Sequence, residues 1–328
     1  MKISACSIWL PVAVALLVLP PAASAVVGMD WVTVVGSGNA CDAQTEGCFG
    51  SVAAPYRISK YEVTNIQYAD FLNAVAVTDT HGLYKTGMGS GFGGITQSGS
   101  SGSYSYALID GRGELPVDCV SFWDATRFAN WLHNGQPTGA QDDTTTEDGA
   151  YTLTPINIIT NTVARNPGAA VFVTSEDEWY KAAYYDTGAM IYFDYPAGTD
   201  AEIVCTVPGA TANTANCGPY NGDLTNVGSY TGAASPNFTF DQGGNVFEWN
   251  EAIVDASQRS LRGGRNGNSP GILAASFRIS LEPSYYGDGV GFRLATPALA
   301  PDVPSLSPLA MTMLWSLLGL VGWRRLRA

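Results

Sequence analysis

Three segments of the chain begin in the way a helix must, with a hydroxyl side chain followed three residues later by an acidic or amide one. They are Thr64 with Gln67, Ser121 with Asp124, and Ser175 with Glu178. Reciprocal hydrogen bonding within such a pair satisfies backbone groups that a helix start leaves free. Apolar residues then recur at helical spacing: Ile66, Ala69, Leu72 and Val75 after the first start, and Phe122, Ala125, Phe128 and Leu132 after the second. In the third, Glu176 and Asp177 stand at the positive end of the helix dipole. All three are predicted to be core-packing helices. Short β-prone runs, Tyr56–Ile58, Val171–Val173 and Val227–Tyr230, are set among long stretches of Gly, Ser, Thr and Asn. The pattern predicts an α+β fold of a few helices on small sheets, with much irregular loop. Loops this long in a compact domain are functional or stapled.

The cysteines supply candidate staples. Cys41 and Cys48 bracket a short polar loop, as do Cys205 and Cys217, so two short-range disulfides are expected in an oxidising compartment. Cys119 sits in the apolar run Leu115–Val120 and is read as a buried, inert thiol.

The ends suggest export. Residues 1–25 carry Lys2, an apolar run and the exit Ala23-Ser24-Ala25, the layout of a signal peptide. Residues 301–328 hold Val303-Pro304-Ser305-Leu306-Ser307, an apolar stretch at 308–323 and the cluster Arg324-Arg325-Leu326-Arg327. This layout resembles sorting signals of the PEP-CTERM type, although the usual Pro-Glu-Pro is replaced. It predicts transient inner-membrane anchoring through 308–323, with the arginines on the cytoplasmic side; the tail is then either removed after export or kept as a plain membrane anchor. A single domain is expected over 26–300. Without Lys2, Asp302, Arg324, Arg325 and Arg327, the 16 basic and 29 acidic residues of the chain fall to 12 and 28, a formal charge of −16. So acidic a domain argues against nucleic acid as a partner. The glycine-rich run at 87–94 has neither the strand before it nor the helix after it that a phosphate loop requires, and reads as a surface loop.

Taken in order, a set of motifs resembles the formylglycine-generating enzyme, or sulfatase-modifying factor, family. They are Glu62-Val63-Thr64-Asn65 with Tyr68 and Phe71; Pro116-Val117 with Val120-Ser121-Phe122 and Ala129-Asn130-Trp131-Leu132; Ser175-Glu176-Asp177-Glu178-Trp179; Gly244-Asn245-Val246-Phe247-Glu248-Trp249; Arg262-Gly263-Gly264; and Gly291-Phe292-Arg293. The resemblance implies a C-type-lectin-like fold stabilised by calcium, in which founding members oxidise a sulfatase cysteine with copper held by two cysteines. Some relatives use histidine-held iron, and others bind ligands through the surface near the C-terminus.

Carried over residue by residue, the resemblance divides these options. The oxidases keep their cysteine pair between Arg-Gly-Gly and Gly-Phe-Arg, yet residues 265–290 contain none. Copper(I) needs soft ligands, so copper is not expected. Iron is not expected either, because His81 and His133 are the only histidines and are read as a turn residue and a helix-end residue. Calcium is expected, on the family pattern of a side-chain oxygen, two backbone carbonyls and a carboxylate, at Asp241, Gly244, Val246 and Glu248. Arg262, Arg278 and Arg293 are read as internal ties. Asn266, Asn268, Ser269, Tyr285 and Tyr286 are the candidate ligand-facing residues. The expected protein is therefore not an oxidase. It is a binding module at the periplasm, cell surface or extracellular matrix of a Gram-negative bacterium, its ligand a protein or polysaccharide there and its other partners the export and sorting machinery. The alternative is an oxidoreductase with an atypical metal centre involving Cys119, His133 or His81.

Overall fold

The computed structural model describes residues 26–298, so the leader at 1–25 and the tail at 301–328 lie outside the described residues. Four helices occur among them: α1 (Asn65–Val75), α2 (Phe122–His133), α3 (Pro155–Ile159) and α4 (Glu176–Tyr184). The three expected helix starts each form a reciprocal box. Gln67 N donates to Thr64 Oγ1 at 3.4 Å, and Thr64 N to Gln67 Oε1 at 2.9 Å. Ser121 with Asp124 and Ser175 with Glu178 repeat the arrangement. None of the described helices is long and apolar enough to cross a membrane.

Two four-stranded sheets carry the fold. In the first the order is Trp31–Val34, Tyr56–Ser59, Leu294–Pro297, Phe172–Val173, with every pairing antiparallel. In the second it is Ile279–Leu281, Gln258–Arg262, Phe247–Asp255, Val290–Phe292, and only the last pairing is parallel. The chain passes from the second sheet to the first at Arg293, between Phe292 and Leu294. Two-stranded ribbons make up the remaining sheets, giving the expected mixed α+β architecture.

The core lies where α1 and α2 meet the sheets. Phe71 packs edge-on against Phe128 at 5.3 Å between centroids and against Trp131 at 5.2 Å. Phe128 reaches Phe292 of the second sheet at 5.5 Å, so one aromatic chain joins helix to sheet. Each such pair adds roughly 0.5–1.5 kcal/mol beyond its buried area. Of the expected α1 stripe, Ala69, Leu72 and Val75 are buried, joined by Tyr68 and Phe71, while Ile66 is 37% exposed at the rim, against Gly113.

The run Val227–Tyr230 is not a strand but a turn. Gly228 takes a left-handed φ of +74°, and its N–H is drawn to the Asp241 carboxylate at 2.5 Å, which removes it from any ladder. Both expected disulfides are present, Cys41–Cys48 and Cys205–Cys217. The glycine-rich run holds a 3-10 turn, Thr86–Gly89, and leads into the hairpin Ile95–Ser98 with Ser105–Leu108.

Candidate functional site

The turn that enters the long strand Phe247–Asp255 concentrates the unusual backbone of the molecule. Asp241, Gly244 and Asn245 all have left-handed φ values, of 60°, 92° and 58°. Glycine is required at 244, where a Cβ would lie 2.4 Å from the Asn216 carbonyl oxygen. Asn245 holds the turn from inside: its Oδ1 accepts from Thr225 N at 3.0 Å, and its Nδ2 donates to Glu62 Oε1 at 3.3 Å. This close fold leaves the Gly244 and Val246 carbonyls without a hydrogen bond from the described residues.

The turn brings Asp241 and Glu248 into one buried electrostatic cluster with Glu62 and Arg293. Glu248 is fully buried, and Arg293 grips it through two nitrogens, Nε to Oε2 at 2.5 Å and Nη2 to Oε1 at 2.7 Å. Trp179 Nε1 adds a third bond to Oε2 at 2.6 Å. Asp241 accepts only from Gly228 N among the described residues, and Glu62 Oε2, also buried, has no partner there. Burial, reinforced by Asp241, pushes Glu62 well above the usual carboxylate range. Burial likewise raises Asp241, against the Gly228 hydrogen bond that lowers it. Three carboxylates share one guanidinium, an interior with too little positive charge.

By type, the donors are those a hard divalent cation takes. A carboxylate on Asp241, free carbonyls on Gly244 and Val246, and the Glu248 carboxylate are the oxygen mixture calcium takes. Glu248 already serves Arg293 and Trp179 and would have to be shared. Glu62, which reads from sequence only as part of a fold motif, is a further acid of the same cluster. No local spacing links it to Asp241, 179 positions away.

The residues expected to face a ligand differ in exposure. Asn266 is buried at 5% exposure, its N–H bonded to the Asn245 carbonyl and its Oδ1 unpartnered among the described residues. Asn268 closes its own loop, with Oδ1 accepting from Arg265 N at 2.9 Å and its carbonyl accepting from Gly218 N. Ser269 is exposed. Tyr285 and Tyr286 are 45% and 52% exposed, and the Lys85 ammonium lies 4.9 Å from the Tyr286 ring centre. The arginines are internal ties: Arg262 Nε meets Glu176 at 2.7 Å, and Arg278 bridges Glu46 and Glu176.

The two histidines have separate roles. His133 Nδ1 accepts from Ala170 N at 3.0 Å, tying the end of α2 to the loop before Phe172. His81 Nε2 lies 3.5 Å from Glu147, whose carboxylate is held in a two-point pair by Arg127. Burial and the Arg127 charge lower the His81 pKa. His81, Arg127 and Glu147 form the polar end of a cavity of about 630 Å³, with Leu153, Ile158 and Ile159 on its apolar wall. Cys119 is buried and unpaired, and burial pushes its thiol far up.

A family model described as the sulfatase-modifying factor enzyme 1-like domain matches residues 36–298. No curated protein matches the chain. Solved structures similar to it include the crystal structure of CarF, at 20% identity and TM-score 0.49, covering 82% of this chain and 98% of that one. Treponema denticola variable protein 1 is 18% identical, with TM-score 0.49, covering 82% and 94%. PvdO from Pseudomonas aeruginosa is 18% identical, with TM-score 0.44, covering 82% and 92%.

Proposed function

Because the chain belongs to the sulfatase-modifying factor enzyme 1-like domain family, we propose that it keeps the family scaffold without the cysteine-oxidising chemistry and acts as an exported, calcium-stabilised binding module. The observation that carries this reading is the absence of any cysteine after Cys217. The stretch between Arg262 and Gly291, where the resemblance places the oxidases' cysteine pair, offers asparagine, serine and glycine, which cannot hold copper(I). Among the described residues the one free thiol is Cys119, buried and alone, so no second thiol is there to complete a copper-binding pair.

Calcium supplies charge neutralisation in this account. Asp241 and Glu248 with the Gly244 and Val246 carbonyls would hold it, and the excess of buried acid at Glu62, Asp241 and Glu248 over Arg293 supports the assignment. The two disulfides support an oxidising compartment. Tyr285 and Tyr286 support a contact surface for a protein or polysaccharide, since exposed tyrosines give large contact area with little loss of side-chain freedom.

Elemental analysis of the purified chain tests the reading. Calcium bound at one or more ions per chain with no copper is the expected result, and copper bound at one ion per chain contradicts it.

A further inference from the structure

Just before the strand Val290–Phe292, Asp288 meets Asp118 and Cys119, the three bringing one ligand atom each within 4.8 Å of one another. Two different chain segments build this cluster. The first is the extended stretch before α2, where Cys119 takes a left-handed φ of 58°. A cysteine in that region is strained and persists only where its surroundings fix it. The surroundings do so here: the Sγ reaches Asp288 Oδ1 at 3.6 Å, and a Cβ on Gly87 would come within 2.7 Å of it. The glycine-rich turn at Thr86–Gly89 therefore sits against the thiol, and glycine at 87 keeps that approach open. The second segment is the loop before Val290, which supplies Asp288 from the exposed side.

A second and independent feature marks the cluster as incomplete. Asp118 is 0% exposed, yet its Oδ1 has no hydrogen-bond partner. Its other oxygen receives only a long bond from Gly289 N, at 3.4 Å. A buried carboxylate oxygen without a donor is destabilising, and a cation removes that cost.

We propose that Asp118, Cys119 and Asp288 form a binding site for a zinc-type divalent cation, distinct from the calcium cluster at Asp241 and Glu248. Calcium and magnesium take oxygen ligands and have no use for a thiolate, whereas zinc(II) accepts both sulfur and carboxylate donors. Three protein donors leave one tetrahedral position, and the exposure of Asp288 places the opening toward solvent. On binding, the metal replaces the thiol proton, which passes to solvent. The resulting thiolate and two carboxylates carry three negative charges against two positive ones. Arg112, the cation that bears on Asp118, is paired with Asp223 at 2.8 Å, so the loaded site keeps one net negative charge. The site does not depend on the calcium reading, because it shares no residue with it.

Cobalt(II) titration of the purified full chain tests the site under non-reducing conditions. A Cys6→Ser background leaves Cys119 as the one thiol outside the two disulfides. One cobalt ion per chain with a thiolate-to-cobalt charge-transfer band is expected, displaced by zinc and not by calcium. Cys119→Ser should abolish the band, and Asp288→Asn should weaken binding at least tenfold without altering the melting temperature of the metal-free protein. Should Cys119→Ser fail to fold, Asp288→Asn carries the test alone, since that residue is exposed. A folded chain that gives no thiolate band, or an Asp288→Asn variant with unchanged affinity, overturns the proposal.

Discussion

At Arg293 the backbone leaves one sheet and enters the other, and the guanidinium at that junction faces Glu248 with Glu62 and Asp241 close by. Removing the guanidinium leaves the buried Glu62 and Glu248 and the half-buried Asp241 without their cation, so Arg293→Met is expected to cost about 3–5 kcal/mol, read as a lower urea midpoint. Gly244 is constrained in a different way. Alanine there meets both a left-handed φ and the Asn216 carbonyl, so Gly244→Ala should lose about 1–3 kcal/mol in the same assay. His81 gives a pH signature. Its pKa is lowered in the folded state from an ordinary value of 6.5, so the unfolded chain binds more protons just below that pH. Stability should therefore fall as pH drops below about 6.5. That part of the fall should be missing in His81→Asn, measured by thermal melts between pH 5 and 8. A melt profile identical to the parent would show that His81 titrates normally.

At the scale of elements, the helix starts were legible in the sequence because a capping box is local: both partners lie within four residues. Ser121→Ala should cost about 1 kcal/mol through loss of its cap. Helix orientation was less legible, since periodicity gives a stripe but not its centre. Leu72 is fully buried and Ile66 is at the rim, so Leu72→Ala should cost about 2–5 kcal/mol and Ile66→Ala much less. Equal losses in denaturant melts would contradict the observed orientation of α1. The run Val227–Tyr230 read as a strand and forms a turn, because the acceptor that claims the Gly228 N–H belongs to Asp241, thirteen residues on. Local β propensity carries no information about such a partner.

For the whole molecule, the order of motifs was enough to anticipate the α+β architecture, while the ionic wiring was not. The family resemblance marks Glu248 as a calcium ligand, but its partner Arg293 lies 45 residues away and Glu62 lies further still. Asp118 and Asp288 are 170 positions apart and drew no notice in sequence. Cys119 did, though as an inert thiol or one member of an atypical centre with histidine, and both histidines are occupied elsewhere. Of the residues expected to meet a ligand, the two tyrosines are exposed and Asn266 is inside, since side-chain polarity alone cannot tell a surface asparagine from one that braces a turn.

Calcium held as proposed at Asp241, Gly244, Val246 and Glu248 should act on the whole fold, because Glu248 lies on the long strand Phe247–Asp255 and pairs with Arg293 at the junction of the two sheets. Chelation should lower the melting temperature, and Asp241→Asn should shrink that difference; a ligand at 100 times its dissociation constant contributes about 2.7 kcal/mol. The central claim, a preserved family scaffold without oxidase chemistry, is tested most directly by incubating the purified chain with copper, oxygen and a cysteine-containing sulfatase peptide and weighing the peptide by mass spectrometry. The account predicts that the peptide cysteine is not converted to formylglycine, and its conversion would contradict the account.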